Sequence, residues 1–127
     1  MDPEDAKQAG KIGADAIVVS NHGGRQLDGA ETSIAMLPEV MAAVGNEIDV
    51  WMDSGVRSGQ DVLKAIALGA KGVMIGRAFI YALGANGKQG VSDALHIIHK
   101  ELDYTMAMCG HRDIHNVDRQ ILRNCPF

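Results

Sequence analysis

Aromatic side chains are scarce, with one Trp, two Tyr and two Phe in 127 residues. A platform on which single-stranded nucleic acid bases could stack is therefore excluded. Positive charge is also in deficit. Twelve Lys and Arg stand against 16 Asp and Glu, a formal net charge of −4. A general phosphate-backbone binder carries the opposite balance, so no nucleic-acid partner is expected, although a local basic pocket for one phosphate stays compatible with this charge. No apolar run is long enough to span a bilayer. The opening Met1-Asp2-Pro3-Glu4-Asp5 is acidic and lacks the basic and apolar regions of a signal peptide, which favours a cytoplasmic location. Cysteine is rare as well. Cys109 and Cys125 form no disulfide framework and read as two reduced thiols. Cys109, His111 and His115 match no standard zinc spacing, so no metal site is expected.

Glycine, by contrast, is plentiful, with 15 residues, and the apolar positions alternate between two periods. Residues 2–13 read as a helix with Asp2 as N-cap and Pro3 at its first position. Ala16-Ile17-Val18-Val19 is a short β-branched run, the pattern of a buried strand. Residues 32–44 are helical in period, with Ile34, Leu37, Met41 and Val44 on one face and Pro38 as an expected break. A second strand is expected at 50–52. A helix capped by Ser58 and closed by Gly69 follows it, and a third strand is expected at 72–75. Beyond it come a short helix over 78–83, a loop carrying Gly84, Gly87 and Gly90, and a long helix over 91–109. The long helix should pack through Leu95, Ile98, Leu102, Thr105 and Met106. A last helix should carry Val117, Ile121 and Leu122.

Strands alternating with helices imply a parallel α/β sheet with right-handed crossovers. Each strand reads as apolar throughout, the pattern of a strand covered on both faces. Three strands cannot close a barrel, and an eight-stranded (β/α) barrel takes about 250 residues. The chain is thus a small open α/β layer or part of a barrel. Residues 1–127 contain no linker that would divide them into two domains.

Chemistry-bearing residues gather at the strand ends, where parallel α/β folds place their ligands. The first strand ends in Ser20-Asn21-His22-Gly23-Gly24-Arg25-Gln26-Leu27-Asp28-Gly29. An imidazole can take a proton near neutral pH. Gly23 and Gly24 let the backbone approach a flat ligand. The Arg25 guanidinium suits a carboxylate in bidentate fashion. A base and an anion clamp three residues apart suit proton abstraction from a substrate that carries a carboxylate. An ordinary polar turn with a solvated arginine is the plainer alternative. The second strand ends in Asp53-Ser54-Gly55-Val56-Arg57 and the third in Gly76-Arg77, each leading into a helix. Helix N-termini offer unpaired N–H groups to an anion, and tandem phosphate loops of this kind follow the last two strands of many barrels. Helix capping with two surface arginines is the alternative there.

The string from Ser20 to Asp28 resembles the active-site signature of the FMN-dependent 2-hydroxy-acid dehydrogenases and oxidases, the family that oxidises lactate, glycolate and mandelate. The segments Asp53–Arg57 and Gly76–Arg77 resemble its flavin-phosphate loops, in the same order and spacing. The resemblance runs essentially from end to end. It implies that the chain is the C-terminal part of a (β/α)8 TIM barrel, the last three strands and their helices. It implies His22 as the base facing the substrate's α-carbon, Arg25 as the carboxylate clamp and Ser20 against the flavin ring. Asp53, Ser54, Gly55, Val56, Arg57, Gly76 and Arg77 would hold the ribityl chain and phosphate of FMN. The reaction implied is oxidation of an L-2-hydroxy acid to the 2-oxo acid.

The family's flavin-side lysine, the aspartate that orients the base, and the tyrosines lining the flavin would all lie upstream of Met1. The chain alone is therefore expected to be an inactive fragment of a homo-oligomeric parent, which could associate with a membrane through an upstream segment. The alternative is a stand-alone phosphate- or nucleotide-binding half-barrel, or an assembly module that pairs through its open sheet edges. The side chain of the substrate and the electron acceptor are not encoded in these residues.

Overall fold

The computed structural model describes residues 1–123. Helix α1 (Pro3–Lys11) starts where expected, with the Asp2 carboxylate accepting from the Glu4 N–H at 2.9 Å and Pro3 filling a position that needs no donor. It leads into β1 (Ala16–Val19). Helix α2 (Ser33–Val44) runs unbroken through Pro38, against the expected break. Proline removes the bond to the carbonyl of Ile34, but Leu37, Val40 and Val44 are buried along one face and hold the helix to the sheet. Strand β2 (Asp49–Met52) precedes α3 (Gly59–Ala67), whose start is a capping box between Ser58 and Asp61. Strand β3 (Gly72–Val73) is shorter than the expected 72–75.

The sheet is parallel in the order β1-β2-β3, with Val18 paired to Trp51 and Trp51 to Gly72. Its helix-facing side buries Val19, Val50 and Met52 with Ala6, Leu37, Val40, Val44, Val56, Ala65 and Ala70. The other side is open. Val18, Trp51 and Met74 are 48%, 37% and 42% exposed. This corrects the expectation of strands covered on both faces. The apolar residues on both sides are there, but within the described residues only one side has helices against it.

Helix α4 (Arg77–Met108) has two arms that meet at Asn86 and Gly87, where the backbone leaves helical geometry. The expected Gly84–Gly90 loop therefore shrinks to two residues, and Gly84 and Gly90 lie within the helical arms. Gly90 is buried where the arms meet, and a Cβ there would overlap the Ala82 carbonyl. The second arm crosses α3 so closely that a Cβ on Gly59 would overlap the backbone nitrogen of Leu102. Leu102 and Met106 join Leu63, Ala67 and Val117 in a second apolar cluster. Leu95, expected on the packed face, is 51% exposed. The last expected helix is instead two short 3-10 turns, Ile114–Asn116 and Arg119–Ile121, each capped by an aspartate side chain, Asp113 and Asp118. Its apolar residues do pack, since Ile121 and Leu122 lie against the second cluster. Cys109 is a free, exposed thiol, whereas Cys125 lies outside the described residues.

Candidate active site

The C-terminal ends of the three parallel strands lie at one end of the sheet, and their loops are tied together there. After β1 the chain turns through His22–Gly24. The Asn21 N–H donates to the hydroxyl of buried Ser33 at 3.2 Å, and its Nδ2 donates to the Glu31 carbonyl at 3.2 Å. Both bonds fix the loop to the start of α2. Neither Asn21 nor Ser33 stood out in the sequence as a tether, although a serine at a core-facing helix position is the signal that could have found it. His22 takes a left-handed backbone with φ 55°, uncommon for a residue with a side chain. The loops after β2 and β3 then reach across to it. The Gly23 N–H donates to Ser54 Oγ at 3.0 Å, Ser54 Oγ donates to Asp53 Oδ1 at 2.8 Å, and Arg77 Nη2 donates to the Gly23 carbonyl at 3.1 Å.

A cleft of about 400 Å³ lies between the loops. His22 and Arg25 line it, together with Asp53, Ser54, Gly55, Val56, Arg57, Gly76 and Arg77. Every residue nominated from the sequence is thus brought to one cleft except Ser20. That side chain does not line the cleft, and its hydroxyl accepts from the His22 N–H at 3.1 Å. Arg25, Arg57 and Arg77 are exposed, and none forms an ion pair among the described residues. Three guanidinium groups around one cleft, with Asp53 as its carboxylate, leave a surplus of positive charge in a chain that is negative as a whole. A Cβ added to Gly55 or Gly76 would meet nothing within 4 Å, so both backbones border open space.

The two helix N-termini are not equivalent. At α3 most of the donors are already satisfied. The N–H groups of Arg57 and Ser58 go to the Asp61 carboxylate, and that of Gly59 goes to Glu101 Oε2 at 2.9 Å. At α4 no side chain caps the first turn. Among the described residues the α4 terminus therefore keeps more unpaired donors for an anion, and the loop after β2 borders the cleft through Gly55 and Arg57. This narrows the expectation of two equivalent helix-end sites.

The sequence profile of the FMN-dependent dehydrogenases matches residues 1–124. The chain belongs to that family. An L-lactate dehydrogenase of Caulobacter sp. (strain K31) is 57% identical over 122 residues, covering 96% of this chain and 32% of that enzyme. One from Azorhizobium caulinodans is 51% identical over 126 residues, covering 99% of this chain and 33% of its own length. Among solved structures, mandelate oxidase with benzoyl-formic acid superposes with a TM-score of 0.90 at 47% identity, covering 94% of this chain and 36% of that one. The chain therefore spans about a third of the curated relatives it matches, and its three-stranded layer corresponds to part of the family's barrel. Among the described residues no three His, Cys, Asp or Glu side chains come together as metal ligands, and no helix is long and apolar enough to cross a membrane.

Proposed function

We propose that this chain forms the base-bearing and phosphate-binding side of an FMN-dependent enzyme that oxidises an L-2-hydroxy acid to the 2-oxo acid. The observation that carries this reading is the convergence of His22 with three arginines free of ion pairs on one cleft. FMN fits the rest of that cleft. Gly55 and Gly76 leave room for close backbone approach, the uncapped start of α4 offers N–H groups to a phosphate, and Arg57 and Arg77 supply its countercharge. When bound, FMN supplies the two-electron acceptor that side chains lack.

The protein groups have separate tasks in this reading. Arg25 holds the substrate carboxylate in a two-pronged bond and so fixes which carbon faces the base. His22 takes the proton released from the α-carbon or its hydroxyl. The Asp53 carboxylate accepts from the Ser54 hydroxyl and has further acceptor capacity for a polyol.

The relatives' names supply the substrate class, since lactate and mandelate are both small 2-hydroxy acids. Coverage of a third of those enzymes supports a shared site, in which residues outside this chain complete the flavin pocket. An exchange experiment tests this directly. The aligned third of the Caulobacter enzyme is replaced with this chain, and lactate oxidation and bound flavin are measured. Turnover that disappears in His22→Ala while the flavin spectrum stays is the expected result. A chimera that folds, binds FMN and oxidises no 2-hydroxy acid would refute the activity. Efficient turnover by the 127-residue chain alone would refute the need for completion.

A further inference from the structure

We infer that Ser54 is a positioning residue for His22, acting through its hydroxyl and across the gap between two strand-end loops. The inference rests on the reading of His22 as the base. The peptide unit that follows His22 carries the Gly23 N–H, which donates to Ser54 Oγ at 3.0 Å. The unit that precedes it carries the His22 N–H, which donates to Ser20 Oγ at 3.1 Å. The two peptide planes that flank a Cα set the direction of its Cα–Cβ bond, so these two hydroxyls fix where the imidazole starts from. The need is real, because His22 has φ 55° and is exposed, and no side-chain packing buries it in place.

Ser54 is itself in an unusual conformation, with φ 70°. Glycine would take that geometry at lower cost. A serine there is accounted for by its two bonds, one accepted from Gly23 and one donated to Asp53 Oδ1 at 2.8 Å. The donated bond orients the hydroxyl so that a lone pair faces Gly23. Arg77 holds the same glycine from its other side, through the carbonyl, at 3.1 Å. A guanidinium has five donors, so Arg77 can keep this bond while facing an anion. The base-bearing turn is therefore registered against the two loops proposed to hold the cofactor phosphate.

The test is amide exchange and backbone relaxation by NMR on the 127-residue chain without FMN, in wild type, Ser54→Gly and Ser54→Ala. Glycine at position 54 relaxes the backbone while removing the hydroxyl. A purely conformational role for Ser54 would leave Ser54→Gly as ordered as wild type, or more so. The positioning role predicts a melting temperature equal to or above wild type, Gly23 N–H exchange faster by about tenfold, and a His22 order parameter that falls from a rigid value near ~0.85 toward ~0.6. Ser54→Ala should give the same local loosening with a lower melting temperature, because it keeps the strain. Unchanged exchange at Gly23 in Ser54→Gly overturns the inference, as does faster exchange spread evenly over the chain. Local loosening in Ser54→Gly, together with a Caulobacter chimera that folds but never binds FMN, would count against the proposed activity and not against this coupling.

Discussion

The indole of Trp51 lies over the backbone of Gly72, its partner across the β2–β3 pair, so that a Cβ on Gly72 would stand 2.5 Å from ring atom Cζ3. This contact is on the open side of the sheet, where Trp51 keeps 37% of its surface exposed. In Gly72→Ala the ring must tilt outward, because the backbone beneath it is fixed by the Lys71 and Met74 amide bonds to Val50 and Met52. The expected cost is about 1 kcal/mol, at the low end for overpacking because one side of the ring is free. Urea unfolding should report it, and Trp fluorescence should move to the red. A variant as stable as wild type would mean that the ring does not rest on this glycine.

The same open side predicts a binding event. Among the described residues, Val18, Trp51 and Met74 present apolar surface that has no helix against it, and β1 and β3 are both edge strands. Edges and apolar faces of this kind invite pairing. Mixing the chain with the separately produced remainder of the Caulobacter relative should bury Trp51, shift its emission to the blue and yield a one-to-one complex on gel filtration. Emission that stays put would leave the open face without this partner. Self-association that outcompetes the remainder would favour the assembly reading instead.

A glycine also governs how α3 meets α4. Gly59 is buried with the Leu102 backbone directly against it and the Glu101 carboxylate on its N–H. Backbone on both sides cannot step aside for a methyl group. Gly59→Ala should therefore separate the two helices and cost about 3 kcal/mol or more, read as a lower urea midpoint. A loss below about 1 kcal/mol would show that the helices can slide apart cheaply.

The strand and helix order was legible because each strand is a short apolar run with a glycine within a few residues of its end, and the cleft was legible because all three strand ends carry polar motifs. What was not legible depends on partners distant in sequence. Pro38 breaks nothing because Leu37, Val40 and Val44 anchor its helix. The Gly84–Gly90 segment reads as loop, yet Gly90 is a packing residue. The Gly23 and Ser54 bond joins residues 31 apart, and no local pattern reports it. The open face of the sheet is invisible too, since Val18 and Trp51 are as apolar as residues that are covered.

Arg57 and Arg77 should be separable by experiment. Both line the cleft, but Arg77 also holds the Gly23 carbonyl. A flavin titration of the Caulobacter chimera should show FMN bound more tightly than riboflavin by tenfold or more, since a phosphate adds charge-assisted bonds. Arg57→Lys should weaken FMN and leave Gly23 exchange unchanged. Arg77→Lys should weaken FMN and also speed Gly23 exchange, because lysine is a flexible point charge without the guanidinium's planar fork. Equal affinity for FMN and riboflavin would remove the phosphate from this cleft.

His22 and Arg25 share the cleft but should fail in different ways. In the chimera, His22→Asn removes the proton acceptor and leaves a polar side chain of similar size. Turnover should fall by roughly 10²–10⁴-fold, the range for removing a general base, with KM little changed. Arg25→Lys keeps the charge and loses the two-pronged bond that sets orientation. KM should rise, and kcat should also fall because a substrate held by a point charge reaches the reactive geometry less often. Neither change should alter the amount of bound flavin. Should Arg25→Lys raise KM alone, its carboxylate contact would be equally strong before and during the reaction. Should His22→Asn act on KM alone, His22 would be a binding residue and the base would have to come from outside this chain.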